Sequence, residues 1–228
     1  MADTDEDNSD EISRLCEALR CVAKTTIVFC SLPDLGGISL DELALYYPVG
    51  AGAKEIKEIF RIGGATPDNN PWERAGGKNI IDYILPGCDV RQKAGCEVVQ
   101  NNPSLSSGSS IATALAAGLA ALLIHIVRMA AIKTYAQGKE NSQEAHLVTL
   151  VSLDPFKSPD MMRATLDKMA NKENGRMYVH VWSMFSHRSG EFESAENDPD
   201  AGATRWRVMA EMAREIVPAK YESERRRL

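Results

Sequence analysis

A serine-rich turn, SLSSGSS at residues 104–110, leads directly into a long stretch of Ala and Leu. The first N–H groups of a helix have no partner within the helix, and they carry the positive end of its dipole. A serine hydroxyl at this position lies where developing negative charge is stabilised, which suits a nucleophile. The simpler interpretation is that Ser109 or Ser110 is a helix N-cap, worth about 1 kcal/mol.

The elements around this turn predict an α/β protein with a mostly parallel sheet. Residues 11–24 have the apolar spacing of one helix face, and the short β-branched run at 25–32 predicts a strand buried on both faces. Further strands are predicted at 59–65 and in the segment that ends at Pro86-Gly87. The helix after the serines is predicted from Ser110 to Tyr135, buried within the core.

The segment Gly108-Ser109-Ser110-Ile111-Ala112-Thr113-Ala114 resembles the Gly-Thr-Ser-Met-Ala-Thr/Ser-Pro motif of subtilisin-like serine peptidases, with Ala114 in place of the proline. Ile84-Leu85-Pro86-Gly87 is similar to the strand ending in Ala-Pro-Gly that precedes this motif in the family. The loop 33–36 matches the family's oxyanion loop, with Asp34 where the family has Asn. The similarity covers about residues 11–135 in one consistent order. It implies the C-terminal half of a subtilisin-like catalytic domain, a three-layer α/β fold with a buried central helix.

This resemblance implies a serine endopeptidase that acts on peptide or protein substrates and uses no cofactor. Ser110 would be the nucleophile that forms the acyl-enzyme, and Asp34 with the Ser110 backbone N–H would hold the oxyanion. An ionised Asp34 cannot donate a hydrogen bond, so it would serve there only when protonated or reoriented. Gly108, Ser109 and Gly36 would contact the substrate.

The family's catalytic Asp and His motifs lie N-terminal to everything that is matched, and residues 1–10 leave no room for them. The resemblance therefore implies a truncated domain, inactive by itself, with a protein partner that completes the half-domain. Four histidines could in principle replace the missing base: His125, His146, His180 and His187. His125 lies about 22 Å from Ser110 along the predicted helix, too far for contact. None of the four belongs to a recognisable Asp–His pair.

Three alternatives stay open at this point. The chain could be a catalytically inactive pseudopeptidase that acts as an interaction or regulatory module, because no Asp or His motif accompanies Ser110. Residues 108–112 also fit a loose G-x-S-x-A elbow of an α/β-hydrolase, which requires a strand directly before the serine. GAGAK at 50–54 is similar to a phosphate loop but lacks the GKS/T ending, so a turn is the default reading.

Composition excludes some classes of function and leaves others. The net charge of -6 argues against a general nucleic-acid binder. The five cysteines lack the spacing of metal ligands, which predicts reduced thiols in an intracellular, cytoplasmic protein. The sequence has no dense cluster of Asp and Asn, so no calcium site is predicted. The acidic N-terminus does not resemble a signal peptide. The apolar run 111–124 is shorter than the roughly 20 residues of a membrane span, which predicts no membrane association.

The chain is predicted to divide into four segments. Residues 1–10 form an acidic disordered tail, and 11–137 form the peptidase-like half-domain. Residues 138–186 extend that domain with helices and strands, including a helix capped by Ser158. Residues 187–228 form a charged tail that is partly helical or disordered.

Overall fold

The computed structural model describes residues 4–43, 46–50, 56–76, 80–91, 105–138, 148, 153–173, 176–194 and 200–217. The helices are α1 (Thr4–Ala23), α2 (Leu40–Leu43), α3 (Ser109–Ala136), α4 (Leu153–Phe156), α5 (Pro159–Met169), α6 (Val181–Ser194) and α7 (Ala201–Ile216). The strands are β1 (Phe29–Ser31), β2 (Phe60–Ala65), β3 (Tyr83–Pro86), β4 (Val90–Arg91), β5 (Leu105–Ser106), β6 (Ala170–Glu173) and β7 (Arg176–Val179). The chain divides into two compact units: Met1–Ala117 with Lys172–Tyr178, and Gly118–Asn171 with Val179–Leu228.

The first unit is built on a five-stranded sheet with the order β1-β2-β3-β7-β6, whose first four strands are parallel. Phe29 lies beside Phe60 in the register of β1 and β2, and their ring centroids are 5.0 Å apart. Phe60 in turn stacks on Tyr83 of β3 at 6.2 Å. Strands that are covered on both faces have continuous apolar sequences, and the buried aromatic and aliphatic side chains of these strands fit that rule. The predicted α/β class with a mostly parallel sheet is confirmed.

Two boundaries differ from the prediction. α1 begins at Thr4, well before residue 11. β1 begins only at Phe29, because Thr25 and Thr26 both donate backbone hydrogen bonds to the Val22 carbonyl and prolong the turn after α1. The strand predicted at 59–65 is observed at Phe60–Ala65.

The helix after the serines extends from Ser109 to Ala136, as predicted to within one residue at each end. Its burial differs from the prediction, because Leu115, Leu122, Ile132 and Tyr135 are all more than 40% exposed. By length and composition alone α3 could span a membrane, and 39% of its most apolar stretch is buried. The prediction of no membrane association stays a prediction.

The second unit contains two helices that were not expected to be ordered as a pair. Residues 187–194 continue α6, and α7 buries Val208, Met212 and Ile216 along one face. The Thr165 hydroxyl of α5 donates to the Ile216 carbonyl at 3.3 Å. Arg188 joins α6 to α7 through ion pairs with Glu211 and Glu215. The Ser158 cap of α5 is confirmed, since its hydroxyl accepts the Met161 N–H at 3.3 Å.

Candidate functional site

The serine turn lies at the carboxyl ends of the parallel strands of the first unit. Open α/β sheets bind ligands at this edge, where the strands pass into loops. β1 continues into the loop with Asp34, and β3 continues into Gly87, whose carbonyl accepts the Gly108 N–H at 2.7 Å. The Ser109 N–H, at the start of α3, donates to Asp34 Oδ1 and Oδ2 at 3.1 Å each. These bonds bring Asp34, Gly108, Ser109 and Ser110 close to one another, and the roles predicted for them stay predictions.

Ser109 is fully buried, and its hydroxyl is used by the fold. Ser109 Oγ accepts the backbone N–H of Gly64, near the carboxyl end of β2, at 3.2 Å. The Ser109 carbonyl accepts the Thr113 hydroxyl at 2.8 Å. Ser109 therefore fastens the start of α3 to the sheet, and its predicted contact with a substrate stays a prediction.

Ser110 differs from its neighbour in every respect that matters for chemistry. Its side chain is exposed, and within the part of the chain that the structure describes its hydroxyl has no hydrogen-bond partner. A Cβ built on Gly108 would stand 3.1 Å from Ser110 Oγ and 3.3 Å from Asp34 Oδ2. Gly108 therefore lets the Ser110 hydroxyl and the Asp34 carboxylate lie close to the same backbone atom, with at most about 6.4 Å between Ser110 Oγ and Asp34 Oδ2.

Asp34 is half-buried and serves as a hydrogen-bond acceptor. The prediction gave it an oxyanion position, which requires a donor. An ionised carboxylate beside Ser110 disfavours a second negative charge and favours a positive one. The loop that holds Asp34 turns at Gly36, whose φ of +79° suits glycine, and the Gly36 N–H donates to the Arg74 carbonyl at 2.9 Å.

The sequence analysis did not predict the close packing of Gly87 against Gly64, Gly108 and Ala112, which supports the serine turn. A Cβ on Gly87 would lie 2.7 Å from the Gly64 Cα, 3.0 Å from the Gly108 carbonyl oxygen and 3.2 Å from Ala112 Cβ. Small residues at these positions let the end of β3, the carboxyl end of β2 and the start of α3 pack against one another. The Gly-Gly pair of β2 and the Pro-Gly after β3 are the only traces of this contact in the sequence.

No histidine belongs to the first unit, whose residues 1–117 and 172–178 contain none. His125 is exposed on the part of α3 that belongs to the second unit. His180 precedes α6, and its backbone N–H donates to the Met169 carbonyl at 2.9 Å. His146 lies outside the described residues, and His187 lies in α6 with a side chain that is not described. A base for Ser110 within the first unit would therefore be a group other than histidine.

The other predicted sites were also compared with the structure. Among the described residues, no group of three or more His, Cys, Asp or Glu could hold a metal ion. Most of GAGAK (residues 51–54 of 50–54) lies outside the described residues. β5, which ends shortly before Gly108, pairs antiparallel with β4 in a separate two-stranded sheet. The arrangement therefore differs from a nucleophile elbow, in which a strand of the main sheet runs directly into the serine.

Fold and site together define an α/β protein with an exposed serine hydroxyl at a helix N-terminus, beside a carboxylate. No family model matches the chain, and no curated protein matches it in sequence. One similar solved structure is that of the prenylagaramide maturation protease PagA, with 14% identity, a TM-score of 0.41, and 71% of this chain and 45% of that one covered. Another is that of a lanthipeptide protease, with 20% identity, a TM-score of 0.48, and 78% of this chain and 54% of that one covered. This chain spans about half the length of either protein.

These comparisons correct the interpretation drawn from the serine motif. Neither of these neighbours is named as a subtilisin, so the assignment of the chain to the subtilisin-like family is withdrawn. The structure supplies a physical reason why the motif misled. Gly108, Ser109 and Ala112 are small or hydrogen-bonded because they lie against Gly64 and Gly87. Packing alone thus accounts for much of the pattern that was read as a family signature.

Proposed function

We propose that the first unit binds peptides at the Ser110 edge of the sheet and hydrolyses a peptide bond with Ser110 as the nucleophile. The observation that supports this most directly is the contrast between the two adjacent serines. Ser109 is buried and hydrogen-bonded, whereas Ser110 is exposed with a hydroxyl that has no partner among the described residues. A helix start that needed only a cap would be complete without a second hydroxyl at Ser110.

Peptide hydrolysis at this site requires a nucleophile, groups that stabilise the oxyanion, and a base. The Ser110 hydroxyl adds to a peptide carbonyl, its proton passes to a base and then to the leaving amine, and water hydrolyses the resulting ester. The start of a 28-residue helix contributes backbone N–H groups and its dipole to the oxyanion. A base drawn from the first unit would be a group other than histidine, because that unit contains none.

A fluorophosphonate probe, which labels nucleophilic serines, tests the proposal on the full chain. We expect labelling of the purified protein that is lost in Ser110→Ala. Ser107→Ala is the matched control, because Ser107 is an exposed serine of the same turn whose hydroxyl accepts the Asp89 N–H at 2.9 Å. Peptide mapping should place the label on Ser110. Absence of labelling, or equal labelling of the Ser110→Ala variant, would contradict the nucleophile role.

A second candidate function is a catalytically inactive module that binds peptides or proteins at the same edge. It is favoured by the absence of histidine from the first unit and by the carboxylate of Asp34, which opposes an oxyanion beside Ser110. This candidate predicts peptide binding, measured by fluorescence anisotropy, with no probe labelling and no cleavage. Probe labelling, cleavage and peptide binding, measured on one preparation of protein, therefore distinguish the two functions.

A further inference from the structure

The position of the Asp34 carboxylate bears on the kind of peptide that the site would accept. We infer that the site recognises the free α-ammonium group at the N-terminus of a peptide, with Asp34 as its partner and Ser110 facing the first carbonyl. This inference rests on the proposed peptide site and narrows its substrate class. Under this inference the chain recognises the free N-terminus of a peptide, whereas the sequence suggested an endopeptidase.

The first argument is geometric. A Cβ at Gly108 would lie 3.3 Å from Asp34 Oδ2 and 3.1 Å from Ser110 Oγ, so these two oxygens are at most about 6.4 Å apart. In an N-terminal residue the ammonium nitrogen and the carbonyl carbon are joined through one Cα and lie about 2.5 Å apart. Two oxygens this close together can therefore contact the two ends of a single aminoacyl unit. An ammonium on Asp34 would bring the first carbonyl near the Ser110 hydroxyl.

The second argument is electrostatic. The Ser109 N–H occupies part of the acceptor capacity of Asp34, and an ionised carboxylate offers about four lone-pair sites. The N–H of an internal peptide bond could donate to the remaining lone-pair sites of Asp34, but it carries no charge. An ammonium group would in addition neutralise the carboxylate, which removes the repulsion that Asp34 otherwise exerts on negative charge at Ser110. Asp34 disfavours an oxyanion at Ser110 when no cation is bound beside it, and it therefore favours a substrate with a positively charged N-terminus.

The third argument concerns what holds the carboxylate in place. Ser109 is anchored in the sheet by the Gly64 N–H, and Gly108 is anchored by the Gly87 carbonyl. The N–H that Asp34 accepts is therefore fixed by hydrogen bonds to two strands. A carboxylate held in this way loses little side-chain freedom when a ligand binds, which is a condition for selective recognition.

Binding experiments on the full chain test the inference without depending on turnover. The background is Ser110→Ala, which prevents cleavage of the probe. The probes are two hexapeptides without Lys or Arg, labelled with a fluorophore at the C-terminus and differing only in a free or acetylated N-terminus. We expect the free amine to bind on the order of tenfold more tightly in anisotropy titrations at pH 6.5, since hydrogen bonds to charged groups contribute about that much. Adding Asp34→Asn should remove the difference.

Two controls keep the outcome interpretable. Asp34→Asn retains an oxygen that can accept the Ser109 N–H, and an unchanged circular dichroism spectrum would establish that this variant folds. Asp89→Asn, which removes a carboxylate from a neighbouring loop of the same unit, should leave the tenfold preference intact. Equal binding of the two peptides, or a preference that survives Asp34→Asn, would overturn the inference. Failure of probe labelling at Ser110 would instead overturn the nucleophile role alone, because the ammonium preference is measured separately.

Discussion

The backbone N–H of Ser109 donates to both carboxylate oxygens of Asp34, at 3.1 Å each, and so joins the loop after β1 to the first residue of α3. An anion at a helix N-terminus is stabilised by the free N–H groups and by the dipole. We expect Asp34→Ala to lower the free energy of unfolding by about 1–2 kcal/mol, as loss of a helix cap does. Urea denaturation followed by circular dichroism measures this loss.

Asp34→Asn is the matched variant for that prediction, because the amide oxygen can still accept the Ser109 N–H. Its loss of stability should be the smaller of the two. Equal losses for the Ala and Asn variants would show that the hydrogen bond contributes nothing beyond the charge.

The two adjacent serines should respond oppositely to the same substitution. Ser109→Ala leaves the buried N–H of Gly64 without its acceptor, which costs about 1–3 kcal/mol of stability. Ser110→Ala removes an exposed hydroxyl and should change stability by less than about 0.5 kcal/mol. Chemical denaturation of the two variants side by side measures the contrast. Similar stabilities would mean that Ser109 does not hold α3 on the sheet.

Gly87 should tolerate no side chain. A Cβ there would stand 2.7 Å from the Gly64 Cα and 3.0 Å from the Gly108 carbonyl oxygen, and backbone atoms cannot rotate away. We expect Gly87→Ala to cost about 1–3 kcal/mol or more, the usual range for overpacking. Thermal unfolding of the purified variant provides the measurement.

Gly118→Ala is the control for that substitution, because nothing lies within 4 Å of its Cβ position inside α3. Alanine is the better helix former, so this variant should gain up to about 1 kcal/mol. If both substitutions proved neutral, the close approach at Gly87 would be refuted.

A capping box at α2 should give a small pH dependence. The Ser39 N–H donates to Glu42 Oε2 at 2.8 Å, and the Ser39 hydroxyl accepts the Glu42 N–H at 3.2 Å. The bond from the Ser39 N–H lowers the pKa of Glu42, with a further contribution from the Ser39 hydroxyl. The resulting stability is present above the ordinary glutamate pKa of about 4.3 and is lost as the pH falls through the lowered value.

Carboxyl chemical shifts followed during a pH titration measure this pKa directly. Ser39→Ala should return the Glu42 pKa part of the way toward its ordinary value, because the backbone bond can remain. A pKa at or above the ordinary value in the unmodified protein would be incompatible with the capping box.

The cysteines should differ in their rates of alkylation. Burial raises the pKa of Cys30, although the positive charge of Arg61 acts in the opposite direction, and only 4% of the residue is exposed. Because the thiolate is the reactive species, Cys30 should react with iodoacetamide at least about tenfold more slowly than the exposed Cys21 at pH 8. Mass spectrometry of tryptic peptides over time measures both rates. Equal rates in the folded protein would contradict the burial of Cys30.

Local signals in the sequence were enough to predict several elements of this protein. The serine turn and Gly138 delimit α3, and Gly138 adopts the positive φ that commonly ends a helix. Ser158 and Pro159 mark the start of α5, and the apolar run at residues 60–65 marks β2. Each of these signals acts between residues that are near one another in the chain, so the physics that produces the element can be read from a short window.

The site itself was only half predictable. The sequence pointed to Ser110 and Asp34, but it did not distinguish the buried hydroxyl of Ser109 from the exposed one of Ser110. That distinction depends on the Gly64 N–H, 45 residues away, and the position of Asp34 depends on a bond across 75 residues. A short motif was also mistaken for a family signature, because packing against Gly64 and Gly87 selects the same small residues.

By itself, the sequence determined the helix α3, the start of α5, the strand β2, the place of the serine turn and the acidic residue in the loop after β1. Only the tertiary structure decided that Asp34 accepts the Ser109 N–H, that Gly108 leaves it facing Ser110 Oγ, and that α3 exposes part of its apolar surface. The physical reason is the range of the interactions. Helix caps and hydrophobic periodicity act over a few residues, whereas the shape and charge of the site depend on strands that the fold brings together from distant parts of the chain.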